Sequence, residues 1–324
     1  MRPIAKNHSN AVPRFMVFFD TESREEPIPN QPKAKRHVLR LGVAIAGRWR
    51  DGKFTNRKVV RFTRWGEFWR LVKSYLRKRQ TVWLFAHNIG FDLTLVKLWE
   101  LMDQEEVEIS APGRNRQKET SEGEQNRISK GLFVTSSPPT IIGLQHKDGG
   151  RIVCCDTLNY WKTSLKEIGD WVGIAKGEFP GTDADTETLF EYCETDVAIC
   201  EAAIIKLIQW VEKYDLGMFR YTAPGQAWSA FRHRFMKHDI WPREGVEIKT
   251  HEREGYFGGL YLLFKMGLIK GPIYQYDVNG LYPSVMQSQR FPCDLQTIHL
   301  TDDMSPRRPL RDVWRAVATV EGDT

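Results

Sequence analysis

Asp20 and Glu22 stand two residues apart behind the apolar run Phe15 to Phe19. If that run is a buried strand, both side chains leave one face about 6 to 7 Å apart, close enough to grip a cation together. Tyr192 and Asp196 are four residues apart in a stretch of helical periodicity. That spacing sets a phenol and a carboxylate on one helix face with Cβ atoms about 5 to 6 Å apart, an arrangement that can position a water for attack. Between the two pairs lies His87-Asn88-Ile89-Gly90-Phe91-Asp92, after an apolar strand and at the opening of a helix. Backbone N–H groups at such a turn suit a phosphate or its metal. Taken singly, these patterns also describe an ordinary acid pair, a half-buried tyrosine beside an exposed acid, and a helix N-cap. Their order along the chain is what points to chemistry.

Hydrolysis of a phosphodiester by two cations needs oxygen ligands around ions about 3.5 to 4 Å apart, one to generate hydroxide and one to stabilise the leaving oxygen. Three Asp and one Glu meet that demand. A carboxylate set without His or Cys suits Mg²⁺ or Mn²⁺ rather than zinc.

The elements that must position these groups follow from apolar periodicity. Strands are expected at Phe15 to Phe19, Val38 to Ala46 and Val82 to Phe85, and helices at Trp65 to Leu76 and Phe91 to Met102. Such alternation describes an α/β domain. Thr140 to Leu144 and Arg151 to Cys155 flank a Lys-Asp-Gly-Gly turn and should pair as a hairpin, with Asp156 just past it. A long helix is expected from about Thr186 to Tyr214, with Asp183 or Asp185 as its N-cap and Gly217 beyond its end. After it come a helix near Gln226 to Lys237, a glycine-bearing segment at Tyr256 to Tyr261 and a strand at Ile273 to Val278. Residues 112–130 are polar and charged and read as an exposed loop or disordered insertion without a catalytic role.

At 324 residues the chain is long enough for two domains, and its net charge of +6 with a pI near 9.0 favours a polyanionic partner. Arg48 to Arg79 holds twelve Lys or Arg against two acids. Two readings fit, a phosphate-facing surface or a solvated helix face. The cysteines are five, with no CxxC pair, which suits neither a disulfide framework nor a zinc site and implies a reducing, intracellular compartment. No apolar run approaches the roughly 20 residues of a membrane span.

With these residues in place, the sequence resembles the proofreading exonuclease of family B DNA polymerases, whose three motifs match FFDTES, AHNIGFDL and EYCETDVAI in order and spacing. The resemblance implies a ribonuclease H-like 3′-to-5′ exonuclease domain in which Asp20, Glu22, Asp92 and Asp196 bind two metal ions and Tyr192 orients the attacking water. Thr157-Leu158 followed by Trp161, and Lys176-Gly177-Glu178-Phe179, resemble auxiliary motifs of the protein-primed branch. There the lysine meets the scissile phosphate, a fitting place for a cation near developing negative charge. Ser23, Asn88, Phe91, Thr157 and Leu158 would hold the single-stranded primer end, Phe91 by stacking a base without regard to sequence.

Tyr256-Phe257-Gly258-Gly259 resembles the YxGG element, whose paired glycines let the backbone approach DNA. Tyr276 to Ser284 resembles the first palm motif. On that resemblance Asp277 binds the polymerase metals, the Val278 carbonyl assists, and Tyr282 stacks under the sugar and excludes a 2′-hydroxyl. Gly280 replaces the usual Ser. A complete palm needs a second acidic motif and a finger lysine after the first, and neither follows within these 324 residues.

The expected organisation is therefore an α/β exonuclease domain at 1–215 and the beginning of a palm at 216–324. The expected enzyme is a DNA-directed DNA polymerase in lineage whose own chemistry is exonucleolytic. DNA is the expected partner, as single-stranded 3′ ends or primer-template, with a deoxynucleotide only if the palm is completed and a terminal protein or second polymerase fragment as a further partner. A truncated product, a split polymerase or a piece of a longer sequence would each give such a chain. The alternatives to an enzyme of this lineage are a stand-alone nuclease and a DNA-binding half of a split polymerase without catalysis of its own.

Overall fold

The computed structural model describes residues 3–28, 31–103, 107–109, 133–135, 139–146, 149–240 and 253, and between 262 and 289 all but 263–265, 269 and 275. Two compact units divide the chain, Met1–Arg253 and Glu254–Thr324.

The first unit is a mixed sheet with helices on both faces, as the alternation of strand and helix patterns implies. Its strands in chain order are β1 (Phe15–Ile28), β2 (Gln31–Arg50), β3 (Lys53–Phe62), β4 (Thr81–Ala86), β5 (Val107–Ile109), β6 (Phe133–Thr135), β7 (Thr140–His146) and β8 (Arg151–Asp156). They lie in the order β3-β2-β1-β4-β8-β7, with β5 and β6 both pairing β7. β2 runs antiparallel to β1 and β3, whereas β1, β4 and β8 are mutually parallel. This antiparallel meander followed by parallel crossovers is the ribonuclease H-like plan. Because β1, β4 and β8 run the same way, Asp20 of β1 and the turns that follow Ala86 and Asp156 all lie at one end of the sheet.

Alternation along β1 divides the core in two. Val17 and Phe19 face helices α1 (Trp65–Tyr75), α2 (Ile89–Leu95) and α3 (Leu98–Asp103), where Phe19 meets Phe68 with ring centroids 4.6 Å apart. Met16 and Phe18 face the long helix α5 (Thr186–Lys213), packing with Leu189, Cys193, Val197 and Ile204. Each fully buried side chain of this size contributes about 1.5 to 3 kcal/mol, so the central strand is held from both sides. Leu216, Phe219 and Ala230, the last from α6 (Ala223–Ala230), bury in the α5-facing core too.

Several elements depart from expectation. The expected helix Phe91 to Met102 is two helices: Lys97 takes a left-handed φ of 57°, and the Trp69 indole donates to the freed Val96 carbonyl at 2.7 Å. The helix expected at Gln226 to Lys237 is α6 followed by a π-helical turn at Phe231–Phe235. In the second unit, the described residues of 273–278 form no strand, and α7 (Leu281–Ser288) opens after Gly280, whose φ of 64° a glycine adopts without strain. Residues 112–130 lie outside the described residues.

The basic stretch Arg48 to Arg79 is no single helix face. Much of it is the edge strand β3, where charged side chains guard the unpaired edge. Arg57 pairs with Glu201 at 3.0 Å, and Arg61 with Glu187 and Glu194 at 2.6 and 3.2 Å, so part of that charge is spent on α5. No helix among the described residues is long and apolar enough to cross a membrane.

Candidate active site

Strand period two places Asp20 and Glu22 on the α5-facing side of β1 and Thr21 on the opposite side. Across from them, α5 is started by Asp185, whose carboxylate accepts the Thr188 N–H at 3.0 Å. The helix then presents Tyr192, Cys193 and Asp196 to the site. The Cys193 thiol lies 3.3 Å from an Asp20 carboxylate oxygen. On the far side, the Thr21 hydroxyl donates to Asp92 Oδ1 at 2.5 Å, fixing the buried acid of α2 to the same strand end.

The acids feel one another. Burial, then Asp196 and Glu22, push the Asp20 carboxyl up to about 8, against smaller opposing pulls from Cys193 and Lys176. Burial followed by Asp20 raises Asp92 well above the ordinary carboxylate range. Glu22 is raised by burial and Asp196, and Lys176 and Arg40 moderate it. Burial also raises Asp196, with Lys176 acting against it.

Lys176 reaches in from the loop after α4 (Leu165–Val172). Its ammonium binds Asp196 Oδ2 and sits 4.3 Å from the centroid of the Tyr192 ring, with Phe179 edge-on to the same ring at 5.6 Å. Burial works against this ammonium, but hydrogen bonds with Asp196 and Tyr192 outweigh it and its pKa lies above that of ordinary lysine. The other oxygen, Asp196 Oδ1, is buried without a hydrogen-bond partner.

Among the described residues, no group of three His, Cys, Asp or Glu side chains is arranged to hold an ion. Three of the four acids are instead engaged locally, Asp92 by Thr21, Asp20 by Cys193 and Asp196 by Lys176. The donor chemistry nevertheless fits a hard cation: oxygen-only ligands, an Asp20 carboxyl raised by burial and its acidic neighbours, and one buried oxygen lacking a donor.

Residues expected to contact a strand end fall into two groups. Ser23 Oγ and His37 Nδ1 lie 2.9 Å apart, and the His37 ring meets the exposed Phe91 ring edge-on at 5.7 Å. Thr157 Oγ1 lies 2.9 Å from His87 Nδ1, beside Leu158 and near the turn that carries Asn88. Asp277, Val278 and Tyr282 belong to the second unit and are exposed, and Asp277 Oδ1 accepts the Val278 N–H at 2.9 Å. Tyr256, Gly258 and Gly259 lie outside the described residues.

Three residues join the site without a sequence signal. His37 comes from β2. Asp156 accepts three backbone N–H groups around the two turns. Arg40 is an extra residue in β2, because Glu22 pairs with Leu41 but Ser23 with Leu39. The guanidinium of this bulged residue donates to the Thr182 carbonyl and, at 2.6 Å, to that of Ala184, tying the loop before α5 beside Glu22.

An α/β sheet of ribonuclease H-like topology with acids from β1, α2 and α5 at one end is the class of protein that this fold and site define. Residues 157–302 match the family described as DNA polymerase type B, organellar and viral. Lys176, Tyr192, Asp196 and Asp277 lie inside the matched segment, and Asp20, Glu22 and Asp92 precede it. The chain is 30% identical over 106 residues to a probable DNA polymerase of Neurospora intermedia, a match covering 32% of this chain and 11% of that protein. It is similar to the structure of Phi29 DNA polymerase complexed with primer-template DNA and incoming nucleotides, at 15% identity and a TM-score of 0.47, covering 77% of this chain and 40% of the other. The same polymerase complexed with single-stranded DNA gives 16% identity, a TM-score of 0.44 and coverage of 76% and 40%. The chain thus spans about a tenth of the curated relative it matches.

Proposed function

We propose that the first unit is a metal-dependent 3′-to-5′ exonuclease that trims single-stranded DNA ends in the service of a family B, protein-primed type polymerase. The observation that carries this reading is the grouping of Asp20, Glu22 and Asp196, in which burial and then Asp196 raise both other acids, with Asp196 Oδ1 buried and unpaired. Asp20, Glu22, Asp92 and Asp196 would hold Mg²⁺ or Mn²⁺, in two sites as the chemistry of phosphodiester hydrolysis asks. Bound there, the cations would neutralise phosphate charge and make water nucleophilic near neutral pH.

The protein's own groups divide the remaining work. Tyr192 orients the attacking water. Lys176, beside Asp196, moves its charge to the developing negative charge on the phosphate. Phe91 stacks the terminal base, and Ser23, Asn88, Thr157 and Leu158 hold the strand.

For the second unit, Asp277, Val278 and Tyr282 are proposed to meet metal and deoxynucleotide once a palm is completed, with Tyr256, Gly258 and Gly259 along the DNA. That assignment, like a terminal protein or second polymerase fragment as partner and a reducing intracellular setting, rests on the sequence resemblance. One acidic palm motif does not position two ions, so primer extension is not expected of these 324 residues alone.

The test is release of mononucleotides from a 3′-labelled single-stranded oligonucleotide with Mn²⁺. Activity is expected in the wild type and its loss in the Asp20→Ala, Glu22→Ala double variant. Unchanged release in the double variant would overturn the reading, whereas oligonucleotide binding with no release by wild type would favour the non-catalytic DNA-binding alternative.

A further inference from the structure

Asp156 ends β8 much as Asp20 follows the core of β1, in the parallel register that pairs it with Ala86 of β4. It is buried, with a relative exposure of 2%. Both of its oxygens are used by the backbone. Oδ1 accepts the N–H of Asn88 at 3.0 Å and of Leu158 at 2.9 Å, and Oδ2 accepts the N–H of Ile89 at 3.0 Å. An acid so engaged has little left to offer a cation. What it does offer is an acceptor for the free N–H groups that open α2 and the 3₁₀ turn Thr157–Asn159.

The turn it holds is unusual. Asn88 is left-handed, with φ 64° and ψ 47°, and its own side chain caps nothing. Such a conformation in a residue other than glycine persists where surrounding bonds fix it. Asp156 supplies two of those bonds, at Asn88 and Ile89, and a third runs in parallel between His87 Nδ1 and Thr157 Oγ1. The same carboxylate therefore sets Asn88 and the start of the helix bearing Phe91 and Asp92 on one side, and Thr157 and Leu158 on the other.

We infer that Asp156 is a positioning residue of the proposed exonuclease, a clamp between the β4–α2 and β8 turns that fixes the strand-holding residues relative to Asp92 without touching metal or DNA. This rests on the exonuclease reading given above. Asp156→Asn replaces one accepting oxygen by an amide NH₂ that faces a backbone N–H, so the clamp opens while side-chain volume is kept.

The experiment compares the wild-type chain and Asp156→Asn on a single-stranded oligonucleotide with a free 3′ end, well below the thermal midpoint of each. The Michaelis constant is expected to rise at least tenfold, together with the Mn²⁺ concentration giving half-maximal rate. A merely structural acid would lower the thermal midpoint and leave both unchanged. A folded Asp156→Asn protein within twofold of wild type in both quantities overturns the inference.

Should that variant not fold, amide hydrogen exchange on the wild type decides. Asn88, Ile89 and Leu158 are expected to exchange at least a hundredfold more slowly than free amides, and unprotected exchange at Asn88 and Ile89 overturns the clamp. The Asp20→Ala, Glu22→Ala variant separates this inference from the activity on which it rests. If that variant still trims DNA, the exonuclease assignment fails, while the exchange rates still report on the clamp.

Discussion

Thr21 and Asp92 are joined by a 2.5 Å hydrogen bond, and Thr21 is the residue between the two acids of β1. Asp20 and Glu22 face α5, so their intervening neighbour turns the other way and takes hold of the acid on α2. The DxE spacing thus has a middle position with a task of its own. Its hydroxyl lowers the Asp92 carboxyl against burial and Asp20, which raise it. In Thr21→Val, which removes the donor at nearly constant shape, the Mn²⁺ concentration for half-maximal trimming should rise several-fold while the thermal midpoint moves little. An unchanged metal titration would show that Asp92 needs no such partner.

Asp20 makes the stability of the metal-free protein fall with pH. A carboxyl raised in the folded state to about 8 from an ordinary 3.8 holds its proton where the unfolded chain has released it. Its favourable contribution is full below about pH 4 and is lost as pH climbs to about 8, at about 1.4 kcal/mol per unit of retained shift. Thermal unfolding in EDTA should therefore show Asp20→Asn gaining several degrees over wild type at pH 8.5 and much less at pH 5. Equal gains at both values would contradict the raised carboxyl.

Tyr192→Phe should lower the turnover number about a hundredfold and leave the Michaelis constant near its wild-type value, because a group that positions the attacking water acts in the chemical step. Lys176 touches both Tyr192 and Asp196, so Lys176→Ala should produce a loss at least as large. Single-turnover kinetics separates these effects from product release.

Gly42 pairs with Thr21 in β2, where an added Cβ would lie 2.9 Å from the Asp20 carbonyl and closer still to the Phe62 ring. Gly42→Ala should cost about 1 to 3 kcal/mol by overpacking. It should also shift Asp20, so chemical denaturation and trimming rate are expected to fall together.

Much of the site was legible before the fold. The apolar run before Asp20, the helical spacing of Tyr192 and Asp196, and the hairpin ending at Asp156 all reappear, because buried strands and amphipathic helices write their period into apolar residues. Strand β3 was not legible. It is an edge strand rich in Lys and Arg, and the charges that protect an edge also erase the alternation that would reveal it. The break at Lys97 carries no local signal, since its partner, the Trp69 indole on the Val96 carbonyl, comes from another helix. Asp156 and Arg40 were invisible as site residues for the same reason: their partners are backbone groups distant in sequence, and backbone groups carry no sequence signature.

The extra residue at Arg40 also divides the β1–β2 ribbon into two independently counted lengths. Core-side pairs such as Asp20 with Val43 keep one register, and the arm that pairs Arg24 with Val38 and Glu26 with Arg36 keeps another. Removing Arg40 itself would let the ribbon pair straight through with every one of these pairs kept, His37 still opposite Glu25 and on the face of Ser23. A deletion at Arg40 therefore leaves the arm as it is and acts instead on the loop before α5, whose Thr182 and Ala184 carbonyls lose their guanidinium.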